Sequence, residues 1–80
     1  MTREEVYERL NKIFREVFDD DSIELHDETV VDDVDGWDSF ELINVVVGVE
    51  KEFSFKVPIK KAVNMKNVSE LVDIILEFGE

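Results

Sequence analysis

The chain contains no cysteine among its 80 residues, which excludes disulfides, thiolate metal sites and cysteine nucleophiles. Its one histidine, His26, has no second base or cluster of glycines to accompany it, so the sequence gives little support to an enzyme. No apolar run is long enough to span a membrane, and the polar residues 1–5 do not resemble a signal peptide. We therefore expect one soluble cytoplasmic domain over residues 1–80.

Basic residues are also scarce, because 9 Lys and Arg face 21 Asp and Glu and the formal net charge is −12. Hydrophobic residues nevertheless make up 44% of the chain, which is too many for an intrinsically disordered acidic tail. A strongly negative surface repels nucleic acids and anionic membranes. The composition predicts a folded domain whose partners are basic proteins or cations, and we expect the chain to be a monomer.

The negative charge is concentrated in residues 19–41, the acidic segment, which holds eleven acids and no Lys or Arg. Long loops without structure of their own are uncommon in compact domains and are often functional. Apolar residues recur through this segment, and we expect them to pin an ordered loop onto the core. They are Ile23, Leu25, Val30, Val31, Val34 and Trp37.

Helical periodicity dominates the rest of the chain. Apolar residues over 2–18 recur at spacings of three and four, and Thr2 followed by Glu5 forms a capping-box pair. Residues 38–54 are rich in valine and would suit a strand, but Asp38 and Ser39 offer a helix N-cap and the apolar spacing is helical. We predict a second helix there.

The C-terminal half predicts two further helices. Residues 54–58 form an extended connector, because the residue before Pro58 is disfavoured in the helical region. A short helix over 59–64 follows, and a last helix begins at Asn67 and ends at Gly79. The predicted fold is an all-α four-helix bundle with three longer helices, one short helix and a long ordered loop between the first and second.

Two readings of the site around Ser39 follow from the residues alone. Asp38 and Ser39 can simply cap a helix, or the Ser39 hydroxyl can carry a phosphate ester that the helix dipole favours. An EF-hand is excluded, because aligning Gly36 with its invariant glycine puts Val31 and Leu42 at ligand positions. Diffuse binding of divalent cations stays open, as does an acidic helical module that binds a basic protein surface without a prosthetic group.

The segment 36–40, Gly-Trp-Asp-Ser-Phe, resembles the Asp-Ser-Leu modification motif of acyl carrier proteins and related phosphopantetheine-bearing carrier domains. Residues 50–53 and the pair Val57 and Pro58 are similar to the family's second helix and its exit. The resemblance covers the whole chain. It implies that a phosphopantetheinyl transferase attaches 4′-phosphopantetheine to Ser39 and recognises Asp38. The chain itself would be a non-catalytic carrier of acyl or aminoacyl thioesters in fatty acid, lipid or secondary-metabolite biosynthesis.

The predicted second helix also presents an outward face. If Leu42, Val45, Val46, Val49 and Phe53 point inward, the opposite face carries Gly48 and five candidate docking residues. These are Phe40, Glu41, Asn44, Val47 and Lys51. The resemblance implies that this face docks onto basic patches of an acyl ligase, acyltransferase or ketosynthase.

Departures from the family pattern point to a specialised stand-alone carrier. Phe40 replaces the usual leucine, and Trp37 replaces a smaller residue. Asn44, Lys51, Lys60 and Lys61 stand at positions that are commonly acidic. We expect Trp37 to anchor the loop to the bundle rather than to contact partners directly.

Overall fold

Four helices make up the regular structure of the residues described by the computed structural model, which are 1–30, 33–34, 36–65 and 67–79, with Ser39 described by its backbone alone. They are α1 (Arg3–Val17), α2 (Ser39–Phe53), α3 (Ile59–Val63) and α4 (Val68–Phe78). The predicted all-α fold with three longer helices and one short helix is confirmed.

Helix α1 begins directly after Thr2, where the pair Thr2 and Glu5 predicts its start. The Thr2 hydroxyl accepts a hydrogen bond from the Glu5 backbone N–H at 3.2 Å, which satisfies one of the free donors at the helix start. The apolar stripe faces inward along the whole helix, where it packs against α2 and α4. Its buried members are Val6, Leu10, Ile13 and Phe14.

Helix α2 forms despite its valines, because Asp38 caps its start and its apolar residues lie on one face. Val45, Val49 and Phe53 are buried, as predicted. The end of the helix differs from the prediction of an extended connector, since Ser54 adopts a left-handed conformation with φ of 58° and donates its N–H to the Glu50 carbonyl. The side chain of Glu50 then accepts from the Val57 N–H at 3.0 Å and fixes the connector to the helix.

Helices α3 and α4 start and end close to their predicted limits. Pro58 precedes α3 with φ of −68°, and Asn67 caps α4 by accepting from the Glu70 N–H at 3.1 Å. Gly79 ends α4 as predicted. The inner face of α4 completes the core with five buried residues, which are Val68, Leu71, Val72, Ile74 and Ile75.

The loop between α1 and α2 is ordered by polar ties to the helices as well as by apolar anchors. The Asn11 side chain accepts from the Leu25 N–H at 2.8 Å, and Arg15 donates to the Ile23 carbonyl at 2.9 Å. The Thr29 carbonyl accepts from the N–H of Val68 at 2.8 Å, which joins the loop to the start of α4. These bonds supply the backbone partners that a loop packed on a core needs.

Most of the predicted apolar anchors of the loop are confirmed. Leu25, Val34 and Trp37 are buried, and Ile23 is partly buried against the core. The prediction for Val30 is wrong, because Val30 is exposed. It lies in a turn that Asp33 closes with two hydrogen bonds. The Asp33 carboxylate accepts from the Val30 N–H, and the Asp33 N–H donates to the Val30 carbonyl. Val31 lies outside the described residues.

A polar cluster joins the start of α1 to the loop and to α4. Arg3 donates to Asp73 at 2.8 Å, to Asp27 at 2.9 Å and to the Ser69 hydroxyl at 2.9 Å. The Tyr7 hydroxyl also donates to Asp27. The hydrogen bonds from Tyr7 and Arg3 lower the pKa of Asp27, while burial and the bond to Asp27 raise the pKa of Tyr7.

These two pKa shifts predict that the polar cluster stabilises the fold most at intermediate pH and loses part of this effect in acid and in alkali. Because the folded pKa of Asp27 is depressed, its contribution is present above the unfolded value of about 3.9 and is lost as pH falls through the folded pKa. The pKa of Tyr7 is raised, so its contribution is present below about 10 and is lost at higher pH. Urea unfolding at acid, neutral and alkaline pH measures both effects.

Asp27→Asn should lose less stability than wild type between neutral and acid pH, and Tyr7→Phe should lose less between neutral and alkaline pH. Glu28→Gln is the matched control, because the Glu28 side chain is exposed and forms no hydrogen bond or ion pair with another described residue. Equal acid losses in wild type and Asp27→Asn would show that the cluster does not set this pH dependence.

Candidate functional site

The start of α2 is built by Asp38. Its backbone is extended, with φ of −129°, and its carboxylate accepts from the Glu41 N–H at 3.0 Å. The Asp38 carbonyl accepts from the Leu42 N–H at 2.9 Å and closes the first turn. Ser39 is thus the first residue of the helix, and its side chain lies outside the described part of the structure.

Trp37 anchors the chain immediately before this start, as predicted. Only 7% of the residue is exposed, and its ring meets Phe14 edge to face with centroids 5.1 Å apart. Phe18 also packs near Trp37, and the centroids of the two rings are 6.2 Å apart. The indole Nε1 is buried and has no hydrogen-bond acceptor among the described residues.

Gly36 makes the turn that brings Trp37 onto the bundle. Its φ of +83° is in a region that L side chains rarely adopt, although a β-carbon added to it would meet no atom of a more distant described residue within 4 Å. The Trp37 N–H donates to the Val34 carbonyl at 3.3 Å across this turn. Two buried anchors therefore hold the chain on either side of an exposed glycine, just before Asp38.

The predicted outward face of α2 is exposed. Phe40 is 79% exposed and Val47 is 43% exposed, so neither folds back onto the core. Asn44 and Lys51 are also exposed, while the half-exposed Glu41 accepts from the Asn44 side chain at 3.2 Å. At about 100° per residue, four of these side chains leave the helix within about 60° of one another, with Glu41 about 60° further round. The four are Phe40, Asn44, Val47 and Lys51.

Gly48 does not belong to this face, which corrects the sequence prediction. It is half-buried against α1, and a β-carbon added to it would lie 2.8 Å from the Cγ2 methyl of Ile13. Glycine leaves the space that the Ile13 side chain occupies here, and a β-carbon would press against it. The outward face therefore ends where α2 turns toward α1.

An apolar groove beside this face escaped the sequence prediction. It has a volume of about 220 Å³ and runs between α2 and α3. Ile43, Ile59 and Val63 are 56%, 54% and 58% exposed along it. Leu42, Val46 and Ala62 line the rest. The spacing of Ile43, three residues after Phe40 and four before Val47, could have placed it on the outward face.

The structure reveals neither a metal centre nor a membrane helix in the part of the chain that it describes. No group of three or more His, Asp or Glu side chains is arranged there to hold a metal ion. No helix among those residues is long and apolar enough to cross a membrane.

Comparisons with known proteins give one informative match. No protein-family model matches the chain, and no curated protein matches it significantly. Among solved structures, it is similar to the holo acyl carrier protein of Geobacter metallireducens, determined by solution NMR. The two share 39% sequence identity and a TM-score of 0.81, over 89% of this chain and 82% of that one. Identity at this level over most of both chains, together with the shared fold, shows that the chain belongs to the acyl carrier protein family.

Proposed function

We propose that this chain carries acyl or aminoacyl groups as thioesters on a 4′-phosphopantetheine group attached to Ser39. One observation supports it above all others. Ser39 is the first residue of α2, directly after the capping residue Asp38, in a fold shared with a holo acyl carrier protein. The carried groups serve fatty acid, lipid or secondary-metabolite biosynthesis, and the chain itself performs no catalysis.

The residues around Ser39 fit such a group. Gly36, Asp38 and Phe40 are exposed on both sides of the serine, so a transferase can approach the chain there. A phosphate ester at a helix N-terminus gains about 0.3–1 kcal/mol from the helix dipole. The chain has no cysteine, and phosphopantetheine supplies the thiol that thioester chemistry requires.

The chain's own residues have two roles in this proposal. Asp38 caps α2 and presents a carboxylate that a phosphopantetheinyl transferase recognises. The outward face of α2 docks onto enzymes that load, transfer or extend the acyl group, such as an acyl ligase, acyltransferase or ketosynthase. Its docking residues are Phe40, Glu41, Asn44, Val47 and Lys51. Exposed apolar side chains supply contact area, while the acidic segment steers basic patches toward Ser39.

Mass spectrometry of the intact protein tests the proposal. After incubation with coenzyme A and a promiscuous phosphopantetheinyl transferase, wild type should gain the mass of one phosphopantetheine group. Ser39→Ala should gain nothing, because it lacks the only proposed acceptor oxygen. Thr2→Ala is the control variant, since it removes a hydroxyl that caps the start of another helix, α1.

Two results would overturn the proposal. One is a wild-type chain that gains no mass although the transferase modifies a known carrier in the same tube. The other is an equal gain on Ser39→Ala. Either result would favour the alternative, an acidic helical module that binds a basic protein surface without a prosthetic group.

A further inference from the structure

A second pocket lies on the α4 side of α3, and we call it the α3–α4 pocket. Its volume of about 400 Å³ is within the range of about 300–1,000 Å³ that small-molecule sites occupy. The described residues that line it include none from α2 and none from the apolar groove. They are Lys60, Lys61, Asn64, Met65, Glu70, Asp73 and Ile74.

Two apolar side chains line the α3–α4 pocket. Ile74 is 7% exposed, and Met65 is partly buried and packs against the core. Methionine is unbranched and polarisable, so it adapts to the shape of an apolar group placed against it. The pocket can therefore bury the apolar body of a ligand.

The acids of the pocket already have partners within the chain. Asp73 accepts a hydrogen bond from Arg3 at 2.8 Å, and Glu70 is also engaged. One of the two lysines is paired as well, because the Lys61 ammonium lies 4.0 Å from a Glu77 carboxylate oxygen. These groups therefore offer little attraction to a charged ligand.

Lys60 differs from the other charged residues of the pocket. It is exposed, and no described residue forms an ion pair with its ammonium. The side-chain amide of Asn64 donates to the Lys60 carbonyl at 2.8 Å and ties the end of α3 to this turn. The charge that is left without a partner in the pocket is thus positive, although the chain as a whole carries −12.

An apolar surface beside one unpaired cation fits an apolar ligand with a single negative charge. Burial of the apolar body supplies affinity, and an ammonium and a carboxylate form a charge-assisted hydrogen bond. An acidic protein surface, or a second copy of this chain, would bring many negative charges toward a molecule of charge −12. A small monoanion meets the least repulsion.

We infer that the α3–α4 pocket binds a medium-chain fatty carboxylate, with its alkyl chain on Met65 and Ile74 and its carboxylate at Lys60. Hydrolysis of an acyl thioester releases an acid of this kind, so the ligand is chemically related to the proposed cargo. The pocket shares no described residue with the site at Ser39, and the inference goes beyond the proposed function without resting on it.

Octanoate and octan-1-ol are the probes, because they have the same chain length and only octanoate is charged at pH 7. Each is titrated below its solubility and micelle limits into wild type, Lys60→Gln and Lys12→Gln, followed by ¹H–¹⁵N NMR. Lys12→Gln is the matched control, since it removes the same charge from an exposed helical lysine that does not line the pocket.

Octanoate should shift the backbone signals of Lys61, Met65 and Ile74 in wild type. Lys60→Gln should weaken octanoate about two- to fivefold, the range typical of exposed ion pairs, and leave octan-1-ol unchanged. Lys12→Gln should leave both affinities unchanged. Butanoate should bind more weakly than octanoate, because each buried methylene contributes up to about fourfold.

Four results would overturn the inference. They are equal affinities of wild type for octanoate and octan-1-ol, octanoate shifts confined to groove residues such as Ile43 and Val46, and equal losses in the two lysine variants. The fourth is binding in the pocket by an acidic leucine-rich peptide but not by octanoate, which would assign the pocket to a protein partner.

Ser39→Ala separates this inference from the proposed function, because it lacks the proposed attachment oxygen and keeps the α3–α4 pocket. It should bind octanoate as wild type does. Failure to modify Ser39 in wild type would contradict the carrier function alone, whereas loss of the Lys60 effect on a chain that is modified normally would contradict this inference alone.

Discussion

Replacing Trp37 with alanine is expected to lower the free energy of unfolding by about 3–5 kcal/mol, the usual effect of truncating a buried aromatic side chain. The ring is 7% exposed and packs against Phe14 and Phe18 of the first helix and its C-terminal end. A domain of this size changes its melting temperature by about 4–8 °C per kcal/mol. The midpoint should therefore fall by more than about 12 °C in thermal unfolding followed by circular dichroism.

Two aromatic variants provide controls for this result. Trp37→Phe keeps an aromatic ring against Phe14 and removes a buried indole N–H that has no acceptor among the described residues, so it should cost much less stability than alanine. Phe40→Ala removes a ring that is 79% exposed and should change stability by under about 0.5 kcal/mol. If Trp37→Ala melts like wild type but is modified poorly at Ser39, Trp37 contacts partners instead of anchoring the loop.

Replacing Asp38 with asparagine is expected to slow modification of Ser39 about ten- to a hundredfold. The proposed transferase contact is a hydrogen bond to a charged group, which contributes about 1.5–3 kcal/mol. Asparagine caps helices as well as aspartate does, so the free energy of unfolding should change by under about 1 kcal/mol. Initial rates of mass gain with a phosphopantetheinyl transferase, paired with urea unfolding, measure the two effects separately.

Two further variants separate charge from capping. Asp38→Ala removes both and should also lower stability by about 1 kcal/mol, because the Glu41 N–H loses its acceptor. Glu24→Gln removes one exposed charge from the same acidic segment, far along the chain from Ser39, and should be modified at nearly the wild-type rate. Wild-type rates for Asp38→Asn would assign Asp38 to helix capping alone.

Local signals were sufficient to predict the helices. Thr2, Asp38 and Asn67 were each identified as helix starts, and all three accept a backbone N–H three residues later. A cap involves only neighbouring residues, and the apolar period involves only one helix at a time. In α2 the apolar residues keep a helical spacing, and this predicts a helix although valine favours strands. Ser54 was missed, because no sequence signal marks its left-handed conformation.

The candidate site was also found from sequence, though only partly. The residues alone leave helix capping and modification of Ser39 both open, and the resemblance of residues 36–40 to the carrier-protein motif predicts the modification. The groove beside it was not predicted, because Ile59 and Val63 belong to another helix than Ile43. Periodicity shows which side of a helix is apolar, but it does not show which helix, if any, covers that side.

The positions of the four helices, the concentration of acid in residues 19–41 and the place of Ser39 beside a capping aspartate all follow from local sequence. The way the loop is held depends on tertiary packing, because its hydrogen bonds join residues that are far apart in the chain. Arg3 bonds to Asp73 across 70 residues, and Thr29 bonds to Val68. Such pairs meet only in the packed structure, so the spacing of residues within one helix or loop does not predict them. The same packing closed the space around Gly48 and brought Ile59 and Val63 beside Ile43 in one groove.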